Sequence, residues 1–236
     1  MNKLTGKRTF QHFMDSIPVT ETTAPIRLAV FDFDGTLCAL NSYRALLGER
    51  LRSGLRSCMR IAPAVVLRQT GLLSSSALKN RLLDEFRGWS RARLNQLGES
   101  LYDSRLRPCL IPPAIAELRI RREKGFQLVV VSGAFDFLLA PFCAEHGITL
   151  YGCSQVGFDG DTCTGRIQGS EMLGETKRRF LARQFSRTPV DWDQSYAYSD
   201  ELTDLPLLAM VGNPCFINGP DSMVVTHPRL RRLDWQ

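Results

Sequence analysis

The sequence predicts a doubly wound α/β fold with an inserted, all-helical subdomain. Three observations lead there: a short apolar run over residues 26–33 stops at an acidic turn, a long stretch of helical periodicity follows, and strand-like and helix-like segments alternate from Gln127 onward. Alternating strands and helices build a mostly parallel sheet, with ligands bound at the carboxyl ends of its strands. With 236 residues, 44% hydrophobic and 23% charged, the chain is long enough for one sizeable core plus a smaller subdomain.

Ile26–Phe33 reads as a buried parallel strand, because it is short, nearly all apolar and ends at Asp34-Gly35-Thr36. From Asn41 to Glu123 the apolar positions recur at helical spacing: Tyr43, Leu46 and Leu47, then Leu78, Leu82, Leu83 and Phe86, then Leu94, Leu97 and Leu101. Gly54, Gly71, Gly88 and a cluster of Pro108, Pro112 and Pro113 punctuate them. Strands are expected at Gln127–Val131, Thr149–Gln155, Ser195–Ser199 and Cys215–Ile217, and helices at Asp136–His146, Glu175–Phe185 and Leu205–Met210. Gly160 and Gly165 mark a β-hairpin within residues 157–169. The resulting division is an N-terminal extension at 1–25, an α/β core at 26–40 and 125–236, and a helical cap at 41–124.

Several classes are disfavoured. Apolar stretches such as Leu128–Val131 and Ile61–Leu67 fall well short of the roughly 20 residues a membrane helix needs. The first 25 residues carry Lys3, Lys7 and Arg8 but no apolar block, which argues against a secretory signal. Seven cysteines, an odd number without a Cys-x-x-Cys pair, are mostly embedded in apolar sequence, as reduced core thiols are. Cys153 and Cys163 are the one pair that a hairpin would bring together, but spacing alone does not establish disulfide geometry. A reducing cytoplasm is the simplest compartment.

The polar residues suited to chemistry fall at strand ends or helix starts. Asp32 and Asp34 alternate by two, so in an extended segment both carboxylates face one site, and two carboxylates that close need a cation to stay ionised together. An acidic turn is the competing reading. Ser132-Gly133, after Val129-Val130-Val131, offers a hydroxyl and a free N–H to phosphate oxygens, though strands also end in Ser-Gly for turn reasons. Lys177 matters only if its helix turns it inward, where an ammonium would offset phosphoryl and carboxylate charge. Asp200 and Asp204 share a face if their turn is helical, and first-turn acids also serve helix starts. The order of the four clusters is what makes chance assembly improbable.

These four segments, FDFDGTL at Phe31–Leu37, VVVSGAF at Val129–Phe135, GETK at Gly174–Lys177 and YSDELTDLPLL at Tyr198–Leu208, resemble the four motifs of the haloacid dehalogenase superfamily. The helical insertion and the Gly160 to Arg166 hairpin resemble the subgroup that includes phosphoserine phosphatase, and Pro228-Arg229-Leu230 its hydrolases of unassigned substrate. The resemblance implies a Rossmann-like core and a Mg²⁺-dependent phosphatase acting on a small phosphorylated substrate. By the same resemblance Asp32 is the nucleophile that takes up the phosphoryl group, and Asp34 is the general acid and base. Ser132 and Gly133 bind phosphoryl oxygens, and Lys177 neutralises charge. Asp32, Asp34 and Asp200 hold Mg²⁺, with Asp204 in support. Phosphoserine phosphatases carry a glutamate where this chain has Asn41, a candidate substrate contact that cannot pair with an ammonium, so phosphoserine is disfavoured. Ser199 stands where that family usually has glycine.

The cap is strongly basic: residues 44–124 hold 17 Lys and Arg against 7 Asp and Glu, a formal +10 against +6 for the whole chain. Arg50, Arg52, Arg56 and Arg60 recur near one helical turn, as do Arg119 and Arg122, and would form either a solvated face or a positive stripe for a polyanionic substrate. Nucleic acid or an anionic lipid surface is a further but less favoured partner. The alternatives to a phosphatase are a phosphotransferase using the same intermediate and a non-catalytic anion-binding protein. Retention of all six polar positions argues against the latter.

Overall fold

The computed structural model describes residues 24–72, 74–219 and 229–235. All but the last two residues of the 1–25 extension, and Pro228, lie outside them. The core is a six-stranded sheet of β1 (Leu28–Phe31), β2 (Gln127–Phe135), β3 (Leu150–Ser154), β6 (Tyr196–Ser199), β7 (Asn213–Ile217) and β8 (Arg231–Leu233), in the order β3-β2-β1-β6-β7-β8. Every neighbouring pair is parallel. All four residues of β1 are fully buried, as a central strand covered on both faces requires. The strand order reverses direction beside β1, so β1 and β6 bracket the crevice where doubly wound sheets bind ligands.

The expected insertion supplies α1 (Ser42–Arg52), α2 (Leu55–Gln69), α3 (Ser75–Asp84) and α4 (Arg91–Leu101). Asn41, Ser74 and Ser90 cap α1, α3 and α4 by accepting backbone N–H bonds. The chain returns through a wider turn at Tyr102–Leu106 and a tighter one at Arg107–Cys109. Main-chain bonds from Ala39 to Cys109 (2.8 Å) and from Ile111 to Leu37 (3.0 Å) draw the two ends of the insertion into a neck. Inside the cap, Leu46, Ile61, Leu82, Leu83, Phe86, Leu94 and Leu101 form one apolar cluster with Phe135, Phe137 and Leu138 of the core.

The structure differs from the sequence reading at four places. First, α5 (Pro112–Glu123) packs on the core sheet: Ala114, Ile115 and Leu118 are buried with Ala29, Phe31 and Val130, so the helical cap ends near Cys109 rather than at 124. Helical periodicity shows that a helix has an inner face but not which partner covers it. Second, the hairpin of β4 (Val156–Asp159) and β5 (Thr162–Ile167) joins the cap, through bonds of Gly88 N–H to the Cys163 carbonyl (2.9 Å) and Cys163 N–H to the Trp89 carbonyl (2.8 Å). Third, β2 runs on through Ser132-Gly133 to Phe135, with its pairing to β3 shifted between Val131 and Phe135, and α6 (Asp136–Glu145) begins directly after it. Fourth, β8 adds a strand too short and too charged to read from pattern.

Arg50 does not sit on an exposed basic stripe. Its guanidinium lies 5.2 Å from the Phe86 ring centre, 5.6 Å from that of Trp89 and 3.8 Å from Glu85. The Arg56 and Arg60 side chains lie outside the described residues. Cys153 and Cys163 are free thiols, accepting from the Gln155 amide and the Gly165 N–H. The remaining helix, α7 (Glu175–Gln184), and the short α8 (Leu205–Leu208) pack against each other beside the sheet. Among the described residues no helix is long and apolar enough to cross a membrane.

The cap and core meet most closely at Gly98, where an added Cβ would lie 1.8 Å from the Phe137 carbonyl oxygen. Gly98→Ala is expected to destabilise the protein by about 1–3 kcal/mol through overpacking, measured as a lower midpoint of denaturant unfolding with unchanged slope.

Candidate active site

Asp32 follows β1 directly, and its N–H bonds the Tyr198 carbonyl of β6 (2.9 Å), which fixes it in the crevice between the two strands. The chain then folds back on itself, with the N–H groups of Leu37 and Cys38 both reaching the Phe33 carbonyl at 2.9 Å. Gly35, at φ +80°, makes that turn possible, and a Cβ there would lie 2.0 Å from Asp200 Oδ2. The Asp200 carboxylate thus rests against the loop backbone just after Asp34, with Thr36 Oγ1 donating to its Oδ1 at 3.1 Å.

Lys177 is buried at 2% exposure, so α7 does turn it inward. Gly174, at φ +46°, lets the start of this helix approach the turn at Leu202–Asp204, where a Cβ would meet the Thr203 carbonyl at 2.9 Å. The Lys177 ammonium donates to Asp32 Oδ1 (2.7 Å) and Asp204 Oδ2 (2.6 Å). Ser199 Oγ donates to the same Asp204 oxygen at 2.7 Å, while Asp204 Oδ1 is buried without a partner among the described residues. Asp200 and Asp204 therefore do separate work, one against the Asp34–Thr36 loop and the other against the lysine.

Burial pushes the Asp32 carboxyl up to about 7, opposed by Lys177 and reinforced by Asp204 and Asp34. Burial alone would lower the lysine, but Asp32 and Asp204 outweigh it and hold the ammonium above its ordinary range. The ammonium is therefore the fixed charge of the pair. Asp34 is raised by burial to about 6, although Ser42 donates to it through both N–H (2.7 Å, to Oδ1) and Oγ (2.8 Å, to Oδ2). Burial also raises Asp200.

Asp32, Asp34, Asn41, Ser132, Gly133 and Lys177 line one cavity of about 740 Å³. Ser132 is buried at 1%, its Oγ accepting the Ala134 N–H (3.2 Å) within the irregular end of β2. An added Cβ on Gly133 would meet Leu173 at 2.8 Å. Tyr43, Arg44, Leu47, Arg68, Gln69, Leu78 and Lys79 of the cap form the opposite wall. Asn41 uses its Oδ1 to accept the Arg44 N–H (3.1 Å) and so serves as the α1 N-cap while it borders the cavity.

Three neighbours escaped the sequence reading as site residues: Ser42, which orients Asp34, Ser199, which adds a donor to Asp204, and Lys79. Lys79 lies on the cap at hydrogen-bond distance from Glu171 (3.1 Å), and its charge acts on Asp34. Each hydroxyl sits next to a motif residue, but a serine's target depends on backbone geometry that spacing does not give.

Among the described residues no cluster of three His, Cys, Asp or Glu side chains could hold a metal by itself. The set formed by the Asp32 and Asp200 carboxylates and the Asp34 main-chain carbonyl has only two side chains, and its chemistry fits a hard, oxygen-preferring cation.

Asp32 and Asp34 after β1, the Lys177 ammonium and the Ser132 hydroxyl border one cavity at the switch point of a doubly wound sheet, with Asp200 and Asp204 after β6 bonded to Thr36 and Lys177. The chain belongs to the haloacid dehalogenase-like hydrolases, whose family model matches residues 29–209. It is 27% identical over 205 residues to a histidinol-phosphatase of Neisseria meningitidis, covering 83% of this chain and 91% of that protein. A Bordetella pertussis structure of unknown function superposes with a TM-score of 0.78 at 23% identity, over 90% of this chain and all of that one. A probable phosphoserine phosphatase from Vibrio cholerae shares the fold with a TM-score of 0.67 at 17% identity, over 89% of this chain and 61% of that chain.

Gly35→Ala is expected to cost about 1–2 kcal/mol from its left-handed backbone and to displace Asp200, so activity should fall much further than stability. Paired thermal melts and turnover measurements check this. Lys177→Met should destabilise by about 3–5 kcal/mol, because it leaves two buried carboxylates facing each other, and denaturant unfolding reads that directly.

Proposed function

We propose that the protein is a Mg²⁺-dependent phosphatase that hydrolyses a small phosphate monoester through an aspartyl-phosphate on Asp32. The observation that carries this reading is the single cavity shared by Asp32, Asp34, Ser132 and Lys177, with Asp32 already tied to the lysine. An Asp32 oxygen attacks phosphorus, the ester P–O bond breaks, and Asp34 gives its proton to the leaving oxygen. Water then attacks the phosphoryl group, Asp34 takes its proton, and the Asp32–phosphorus bond breaks. A carboxyl held near 6 by burial suits both halves of that exchange close to neutral pH. Ser132 and the Gly133 N–H would hold phosphoryl oxygens, and Lys177 would offset their charge. Asp32, Asp200 and the Asp34 carbonyl would hold Mg²⁺, which when bound supplies charge neutralisation at the phosphoryl group.

The cap wall supports a substrate with a second anionic group. Arg44 brings positive charge to it, Lys79 lies there paired with Glu171, and the Tyr43 hydroxyl is buried without a hydrogen-bond partner among the described residues. Asn41, already engaged as a helix cap, offers no anion for a substrate ammonium. A reducing cytoplasm, expected from the cysteine pattern, is part of this reading.

Hydrolysis of an aryl phosphate should require Mg²⁺ and fall on the order of 10³-fold or more in Asp32→Asn. Unchanged turnover in that variant would sink the mechanism. Added alcohol acceptors should leave inorganic phosphate the main product, whereas phosphorylated acceptor would identify a phosphotransferase. Arg44→Ala should raise KM for a substrate with two anionic groups and leave kcat for the aryl phosphate unchanged, as loss of uniform binding does.

A further inference from the structure

Helix α2 is apolar on both sides. Its inner face sets Ile61 and Ala64 into the cap, at 0% and 8% exposure, with Val65 packed beside them. Its outer face presents Met59 at 68%, Val66 at 56% and Leu67 at 43%, and Leu72 in the following turn is 77% exposed. At helical spacing Met59, Pro63, Val66 and Leu67 share one strip. A helix with apolar residues on two opposite faces normally has a partner on each. Four of the seven large exposed hydrophobic residues among those described fall in this one segment, so the strip is a local feature and not the scatter of any protein surface.

The charge of the same segment selects the partner. Residues 50–83 contain seven Lys and Arg and no Asp or Glu. Counted over residues 49–85 the same seven face Glu49, Asp84 and Glu85, a formal excess of four, and Glu49, Glu85 and Glu171 approach Arg52, Arg50 and Lys79. A second copy of the chain would bring two basic segments together. A nucleic acid would find methyl and thioether groups along the strip, where it needs donors to its phosphates.

We propose that the outer face of α2 and the Leu72 turn dock the protein on an anionic lipid surface. The apolar strip enters the acyl boundary, and the surrounding positive charge supplies attraction to the headgroups. Arg68 and Gln69 at the end of the same helix border the catalytic cavity, so docking brings the cavity rim to the lipid interface.

The full-length protein should sediment with phosphatidylcholine vesicles containing phosphatidylglycerol and much less with phosphatidylcholine alone, and rising salt should weaken the association. The combined substitution Met59→Ser, Val66→Ser, Leu67→Ser and Leu72→Ser should reduce vesicle partition about 10-fold or more. It should retain the wild-type circular dichroism spectrum and aryl phosphate hydrolysis. Asp32→Asn should bind vesicles like the wild type, which keeps this result separate from the fate of the catalytic reading. Val66→Trp should add tryptophan emission that shifts to the blue only with the anionic vesicles. Equal sedimentation with both lipids, or wild-type partition of the serine variant, would overturn the proposal. So would a dimer seen by ultracentrifugation that the serine variant loses while vesicles leave the wild type in solution.

Discussion

The Lys177 ammonium, held between Asp32 and Asp204, is the constraint around which the rest of the core is arranged. It joins the end of β1, the start of α7 and the turn after β6, three segments far apart along the chain. A lone ammonium buried this deeply would be costly, and so would either carboxylate without it. The backbone concessions nearby follow from that need: Gly174 lets the helix come close, and Ser199 satisfies a lone pair that the lysine leaves over. The cluster still carries more carboxylate than ammonium, which gives the crevice its remaining appetite for positive charge.

The cap is continuous with the core in packing and separate from it in chemistry. Phe135, Phe137 and Leu138 bind the cap's apolar cluster to the β2–α6 junction, and the β4–β5 hairpin clasps it from the far side. The carboxylates and Ser132 of the cavity come from the core strands and Lys177 from α7, while the facing wall comes from α1, α2 and α3. On the proposed mechanism, chemistry and substrate choice would fall to different parts of the chain.

Much of this was legible beforehand. Buried parallel strands are compact apolar runs, and those at β1, β3, β6 and β7 were found within a few residues. Asp32, Asp34, Ser132, Gly133 and Lys177 could be placed on one site because their positions at element ends depend on chain order alone. What escaped depends on three-dimensional choices. The face α5 covers, the inward turn of Arg50 and the ion pair of Lys79 are set by neighbours distant in sequence, and the bonds of Ser42 and Ser199 by local backbone geometry that spacing does not give. Asn41 shows the same limit from the other side, since an amide opening a helix satisfies a cap whether or not it also meets a ligand.

The order of the strands has a consequence for how the protein comes into being. β1 is made early but pairs with β2, about a hundred residues later, and with β6, later still, so the central ladder consists entirely of distant partners. Such pairing must close large loops before any contact rewards it, and it folds slowly. The helical cap, rich in local contacts, has no such wait and can condense while the ribosome is still supplying the second half. A chain arrested before β6 would hold a formed cap above an Asp32 that has neither Asp204 to share its lysine nor Asp200 against the following loop, so the carboxylate–ammonium cluster assembles only once β6 and its turn are made.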